Sequence, residues 1–509
     1  MRAAVIDIGS SSIQLFIGEK VENDVVVLEA LKNLVPLGRH TLLKERIAPK
    51  VVGQVVGVLE KYKQKLKEYD ITQVRVVATS AVREARNNDM FVDTVLRQTG
   101  LPVELLTVGD VVYYIDAYLH HKLRKTYPIH AKKALIAELG TGSLDLSVMD
   151  KGFTQINVGL SVGTLVLKEM AANLEGSRAE VNEALAEYLE KEAQHLRRML
   201  AGADFDDVIL IDENYSAHLR AILPRKQATT LFYQLEPADV DELLAALDAR
   251  TADEVTREFG IPAEAAETMR SYALLVRLLL ALGGQKFIHV LETSLAEAIL
   301  AQTLLNVELA QKYQKTNQLV SVATFLCKKY NADLKHAQQV ARLAETMARA
   351  LLGYLGIKEE EVLYLILAAY LHDLGMFVHN RSHHKHSEYI ISALNLFRLT
   401  DEEIKLIACV ARYHRKAPPL RSHLLYQSLP AQRQILAQKL AALIRIANAL
   451  DTSHKQKIAQ LSVEITKGQD VVLKAQVQGN AILEKSGFKE KKDLFEEISG
   501  NRISLAFTT

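Results

Sequence analysis

Apolar residues near the start of the chain fall in short continuous runs rather than helical stripes. Ala3 to Ile6 is one such run; it ends at Asp7, passes Gly9-Ser10-Ser11-Ser12, and resumes from Ile13 to Ile17. Ala134 to Ala137 repeats the arrangement: it ends at Glu138, passes Gly140-Thr141-Gly142-Ser143, and resumes from Leu144 to Met149. Short apolar runs bounded by turn residues predict buried strands. Strands are therefore expected at 3–7, 13–19 and 24–31, and again at 134–138, 144–150 and 153–158. Between the two sets, Ala48 to Tyr69 carries Val51, Val55, Leu59, Tyr62 and Leu66 at helical spacing. Val74 to Ala78 predicts a buried strand running into a helical turn, Val103 to Val108 another strand, and 110–123 a helix. After the second set come helices at 161–173 and 177–200, a strand at 208–212 and a helix at 215–222. Thr251-x-x-Glu254 has capping-box spacing, and helices at 262–282 and 294–311 flank a strand at 286–290. Strands alternating with helices in two similar halves predict a duplicated α/β unit.

The texture changes near Tyr313. Residues 319–454 read as almost wholly helical, with Val340, Leu343, Met347 and Leu351 forming the apolar stripe of a helix at 334–353 that Gly356 stops. Further helices are expected at 359–374, at 401–414 behind the Thr400-x-x-Glu403 cap, and at 431–451. Strands at 461–466, 471–477 and 502–507 with a helix near 488–498 predict a small α+β tail. The expected domains are 1–125, 126–312, 313–458 and 459–509.

Composition narrows the function classes. The 509 residues carry a net charge of +1, which gives no electrostatic case for nucleic acid or an acidic membrane. No run reaches the ~18 apolar residues of a membrane span. Cys327 and Cys409, the two cysteines, lie in apolar helical contexts and read as buried thiols of a reducing compartment. Met1-Arg2-Ala3-Ala4-Val5-Ile6-Asp7 turns acidic too soon for a secretory leader. A cytoplasmic protein is expected.

The two glycine loops carry the first candidate chemistry. Glycine lets a backbone approach a phosphate, successive N–H groups and hydroxyls donate to it, and a carboxylate at the strand end can hold Mg²⁺. One such loop also fits an ordinary hairpin. Two of them on similar strand-turn-strand units point to a phosphate cleft between two lobes.

These loops, the stretch Ala78-Thr79-Ser80-Ala81-Val82-Arg83-Glu84-Ala85 and the helical tail together resemble the exopolyphosphatase/guanosine pentaphosphatase (Ppx/GppA) family over the whole chain. In its long form that family joins an actin/hexokinase-like two-lobed α/β half to an all-α domain related to the HD phosphohydrolases. The family's D-x-G-S-N-S stands here as Asp7 to Ser12, with Ser11 replacing Asn. Its A-x-L-H-D-x-G stands as Ala369 to Gly375, its H-H-K-H-S-x-Y as His383 to Tyr389, and its R-Y-H-R-K as Arg412 to Lys416. Several positions depart from the pattern. D-x-G-G-G-S-T-E becomes Glu138 to Asp145, with both acids exchanged in length and Thr141 replacing a glycine. The segment S-G-E-E-E-A-R becomes Thr107 to Tyr113, in which only Asp110 is acidic. A G-G-T loop becomes Ile211-Asp212-Glu213-Asn214, and a late R-E-G becomes Ala296-Glu297-Ala298.

The resemblance implies release of terminal phosphate from inorganic polyphosphate or a guanosine pentaphosphate by metal-assisted attack of water. It makes Asp110, Glu138 and Asp145 the candidate catalytic carboxylates. Gly9, Ser10, Ser11, Ser12, Arg83, Gly140, Thr141, Gly142 and Ser143 become the phosphate-binding set, and Asp7 with Glu138 the Mg²⁺ ligands. It also implies a homodimer. His336, His372, Asp373, His386, His414 and Asp451 follow the order of binuclear HD phosphohydrolases and form a candidate site for a second divalent metal. The aspartate of the HD pattern L-x-x-A-D is Asn448 here, with Asp451 about one turn later. Arg381, Lys385, Arg412, Arg415 and Lys416 fit a basic channel wall or ordinary surface charge. Three readings stay open: the hydrolase of the first cleft, a metal-dependent phosphohydrolase of the histidine site acting on a nucleotide, and a weakened sensor that binds polyphosphate or an alarmone.

Overall fold

The run Ala3 to Ile6 becomes the fully buried centre of β1 (Arg2–Ile8), and Ile13 to Ile17 the core of β2 (Ser12–Val21). In the computed structural model the described residues are 1–38, 41, 45–123, 126–200, 204–212, 215–223, 232–284, 287–305, 315–394, 396–415 and 417–508. The chain forms two compact units, Met1–Gln314 and Lys315–Thr509.

In the first unit β1 and β2 join β3 (Asp24–Leu34), β4 (Val74–Ala78) and β5 (Val103–Leu105) in a sheet of order β3-β2-β1-β4-β5. β1 runs antiparallel to β2 and parallel to β4. The second sheet contains β6 (Lys133–Leu139), β7 (Leu144–Asp150), β8 (Phe153–Leu160), β9 (Asp207–Ile211), β10 (Tyr233–Leu235) and β11 (Ile288–Leu291), in the order β10-β11-β9-β6-β7-β8. β6 is likewise antiparallel to β7 and parallel to β9. The strand pattern is therefore duplicated, with β10 added at one edge.

Helix Pro49–Glu68 buries the five residues that its periodicity singled out. Each contributes about 1.5–3 kcal/mol when fully buried. Proline at the first helical position costs no hydrogen bond, which favours this start. Helix Val108–Leu123 is fastened to the second sheet by its fully buried Asp116, whose carboxylate accepts from Ser147 Oγ and Thr154 Oγ1, both at 2.8 Å. It begins two residues earlier than its periodicity predicts, because Thr107 and Asp110 cap it reciprocally. The predicted strand at 103–108 shortens accordingly. Nothing in the periodicity predicts β10 or helix Pro237–Asp248.

In the second unit, helix Leu334–Ala350 starts at Asp333, whose side chain accepts from His336 N, and buries His336, Val340, Leu343 and Met347. A short helix, Leu352–Leu355, ends on left-handed Gly356. The single helix predicted at 359–374 is divided into a 3₁₀ turn Glu359–Glu361, helix Val362–Leu371 and a second 3₁₀ turn Leu374–Phe377, with the break at His372-Asp373. Helices His383–Ser392, Asp401–Arg412 and Ala431–Ala449 follow. In the tail, β12 (Ile458–Ile465) pairs antiparallel with β13 (Val471–Val477), and β14 (Ile503–Thr508) pairs parallel with β13. A parallel return requires a crossover. Two helices, Ile482–Lys491 and Asp493–Ser499, supply it where one was expected. Gln339 Nε2 and Arg342 Nη2 both donate to Ile458 O at 2.7 Å, tying the tail to helix Leu334–Ala350.

Candidate phosphate cleft and histidine cluster

The two glycine loops are matching hairpin turns. Gly9 N donates to Ser12 O at 2.9 Å, and Gly140 N to Ser143 O at 3.0 Å. The turns face each other: Ser10 Oγ lies 3.2 Å from Ser80 Oγ, and a Cβ on Gly142 would strike both hydroxyls. Glycine at 142 therefore lets both hydroxyls keep their places, which a Cβ would force them to leave. Between the turns lies a space of about 20 Å³ bordered by Asp7, Ser10, Ser80, Glu138, Ser143 and Asp145. That is room for about one water.

Three carboxylates border this space. Asp7 ends β1, while Glu138 and Asp145 sit opposite each other in the β6–β7 register. All are buried, and among the described residues no Lys, Arg or His lines the space. Burial pushes the Asp145 carboxyl up to about 6, against the pull of Arg83 and of Ser143, whose Oγ donates to Asp145 Oδ2 at 3.2 Å. An all-oxygen set of carboxylates and hydroxyls suits a hard dication such as Mg²⁺.

Gly9, Gly140 and Thr141 join the lining. Ser11 instead lines a neighbouring pocket of about 460 Å³, which it shares with Thr141, Lys32, Lys168, Tyr215 and His218. Ser12 is buried in β2 outside both linings. Arg83 lies outside the lining and donates to Leu106 O at 2.9 Å. Asp110 departs from its expected catalytic place. Its Oδ2 accepts from Thr107 N and Oγ1, a cap, and the buried side chain that reaches the space from this helix is Val111. Asp212 is likewise a cap: it is fully buried and accepts from Ser216 N at 2.9 Å and Tyr272 Oη at 2.8 Å. Glu213 and Asn214 lie outside the described residues. Glu297 closes a capping box with Ser294.

In the second unit, His372, Asp373 and His414 bring ligand atoms within 4.8 Å of one another, as do His336, Asp373 and His454. Asp451 stands behind His336, with Oδ2 2.8 Å from Nδ1, and Asn448 Oδ1 lies 2.9 Å from Nε2. His383 takes the place expected of His386: its Nε2 lies 3.4 Å from Asp373 Oδ1. The cause is Gly375, where a Cβ would strike His383 O and Ser387 N. The 3₁₀ turn therefore lies against the start of helix His383–Ser392. Gly375 N donates to Ser387 Oγ and Ser387 Oγ to His372 O, which holds this register. His383 was matched only as the start of the H-H-K-H-S-x-Y motif and His454 not at all; neither was expected as a ligand. The motif did not say which of its histidines turns inward, and the single His454 carried no signal. Burial alone would raise the Asp373 carboxyl, but His372, His414 and His383 hold it well below the usual range. Burial would lower His372, yet Asp373 raises it. Burial drives His414 well below its ordinary value, and the nearby His372 adds to this. Of the proposed basic wall, Arg412 is paired with Glu388, and Lys416 lies outside the described residues.

Two sheets of the same strand order, each turning through a glycine hairpin at one cleft, define the actin/hexokinase type of two-lobed fold. Residues 16–204 match the Ppx/GppA phosphatase family and residues 320–492 match Ppx/GppA phosphatase, domain III. The chain belongs to the Ppx/GppA phosphatase family. The guanosine-5'-triphosphate,3'-diphosphate pyrophosphatase of Aliivibrio fischeri (strain MJ11) is 22% identical over 495 residues, covering 91% of this chain and 92% of that protein. Its namesake from Pseudoalteromonas translucida (strain TAC 125) is 22% identical over 467 residues, covering 87% and 86%. Among solved structures, an exopolyphosphatase from Cytophaga hutchinsonii ATCC 33406 has a TM-score of 0.54 at 20% identity, covering 61% of this chain and 99% of that one. The Aquifex aeolicus member of the Ppx/GppA family has a TM-score of 0.51 at 20% identity, covering 60% and 98%. Among the described residues no helix is long and apolar enough to cross a membrane.

Proposed function

We propose that the first unit hydrolyses the terminal phosphoanhydride of inorganic polyphosphate or of a guanosine pentaphosphate. The observation that carries this reading is the meeting of two glycine turns over three buried carboxylates with no cationic side chain among the described lining residues. Asp7 and Glu138 would hold Mg²⁺, which supplies charge neutralisation at the phosphoryl oxygens. Asp145 accepts the proton of the attacking water; a carboxyl near 6 is closer to the working pH than an ordinary one. The backbone N–H groups of the two turns and the Ser10 and Ser80 hydroxyls donate to the phosphoryl group. Arg83, whose charge reaches Asp145, offsets charge at the edge of the cleft. Lys32 in the adjoining pocket would face the remaining phosphates, while Lys168 there is paired with Glu267. A space that holds about one water must widen to admit phosphate, so the lobes part during the cycle.

Val111, where the family pattern has an acid, favours a second reading: a slow enzyme or a sensor that binds the phosphate chain without turnover. The order His336, His372-Asp373, His414 supports an HD-like second unit. Buried, unpaired Cys327 and Cys409 support a cytoplasmic protein, and the homodimer remains part of the proposal. The test is phosphate release by the full chain with Mg²⁺ from long-chain polyphosphate and from guanosine pentaphosphate. Multiple turnovers on either support the hydrolase. Tight binding with no release on both substrates replaces it with the sensor.

A further inference from the structure

The histidine cluster of the second unit has a feature that the phosphate cleft does not explain. His372 Nδ1 faces Ala369 O at 2.7 Å, His414 Nδ1 faces Ala411 O at 2.7 Å, and His383 Nδ1 faces Asn380 O at 2.9 Å. A carbonyl only accepts, so each Nδ1 carries a proton and each neutral ring offers its lone pair at Nε2. Those three nitrogens converge. His383 Nε2 and His414 Nε2 are 3.2 Å apart, two acceptors in contact. Asp373 Oδ1 lies 3.4 Å from the first and 3.6 Å from the second, and Asp373 Oδ2 lies 3.4 Å from His372 Nε2. His372 Nε2 is buried and makes no hydrogen bond. A proton on His372 answers one of these contacts and leaves the His383–His414 pair unexplained.

We propose that His372, Asp373, His383 and His414 form a four-coordinate site for a zinc-type transition-metal dication. Four ligands ~2.0–2.1 Å from such an ion lie about 3.3 Å apart at the edges of a tetrahedron. Three of the six edges are near this length: 3.2 Å between His383 Nε2 and His414 Nε2, and 3.4 and 3.6 Å from these to Asp373 Oδ1; His372 Nε2 lies 3.4 Å from the other oxygen, Asp373 Oδ2, and joins the set by a shift of its ring or of the Asp373 carboxylate. Backbone carbonyls on the far ring nitrogens are the outer partners that fix a ligating histidine. Three imidazoles and one carboxylate select a borderline metal over Mg²⁺ or Ca²⁺. His336 stays outside the site, since Asp451 and Asn448 engage both of its nitrogens. Arg415, which approaches His383 Nε2 at 3.4 Å, also lines a cavity of about 380 Å³ with His379, Asn380, Arg381 and Ser382. The inference does not depend on the chemistry of the first unit.

The test uses the full chain, stripped with a chelator and titrated with Zn²⁺ or Co²⁺ alone. One ion per chain is expected, with the intense visible bands of four-coordinate cobalt. His372→Gln and His414→Gln should each weaken binding by more than ~100-fold, beyond the ~10–100-fold that loss of an outer partner costs. Circular dichroism checks that both variants fold. No stoichiometric binding by the wild type, a pale six-coordinate cobalt spectrum, or binding that survives both substitutions would overturn the proposal. The cobalt spectrum of the wild type decides the matter even where a variant does not fold.

Discussion

Replacing Asp116 by Asn should stabilise the first unit, and by an amount that grows with pH. Asp116 is fully buried, and burial raises its carboxyl from 3.8 to about 7 despite hydrogen bonds from Ser147 and Thr154. The folded chain therefore keeps a proton that the unfolded chain has lost. The contribution is fully present below the unfolded value and lost as pH rises through about 7. At one pK unit per 1.36 kcal/mol, the wild type gives up about 1.5 kcal/mol by about pH 5 and about 4 kcal/mol by about pH 8. Asn gives up none of it. Its Oδ1 accepts from one hydroxyl and its Nδ2 donates to the other, which can rotate to receive it. The assay is thermal melting of wild type and variant at the two pH values. The gap between them should widen by about 2.5 kcal/mol, worth several degrees, and any constant packing cost cancels in that difference. A gap that stays level, or narrows as pH rises, would refute the burial argument.

Asp145→Asn should lower kcat by ~10²–10⁴. In the wild type, rate should fall about tenfold per unit as pH drops below about 6, because the base must be a carboxylate. A pH–rate profile with no limb there would count against Asp145. Gly142→Ala should abolish turnover, since its Cβ strikes Ser10 and Ser80; phosphate release and a melting curve check that loss of fold is not the cause. Asp110→Asn should cost about 0.5–2 kcal/mol of stability as a lost helix cap and change kcat only a few-fold. A loss as large as that of Asp145→Asn would restore Asp110 as the base.

Both glycine turns were legible because each lies between apolar runs that can only be buried strands, and the carboxylate at each strand end marks the cleft side. The duplicated sheet followed from the same repetition. Tyr233–Leu235 and Pro237–Asp248 were not legible: a three-residue edge strand and a mixed helix carry too little period to read. Asp110 looked like a candidate for chemistry and Asp212 like a departure in a phosphate-side loop because a sequence does not reveal that a backbone N–H and a hydroxyl already engage a carboxylate. Histidines 383 and 386 differ by less than one helical turn. Which one reaches Asp373 depends on the tertiary contact at Gly375, not on spacing.

The central claim places phosphoanhydride hydrolysis at the three carboxylates of the first unit. The most direct measurement is Mg²⁺-dependent phosphate release from polyphosphate by full-length Glu138→Gln/Asp145→Asn beside the wild type, with circular dichroism to confirm folding. A loss of at least ~10²-fold is predicted. A folded double variant that still releases phosphate at the wild-type rate would contradict the account and move the chemistry out of the cleft.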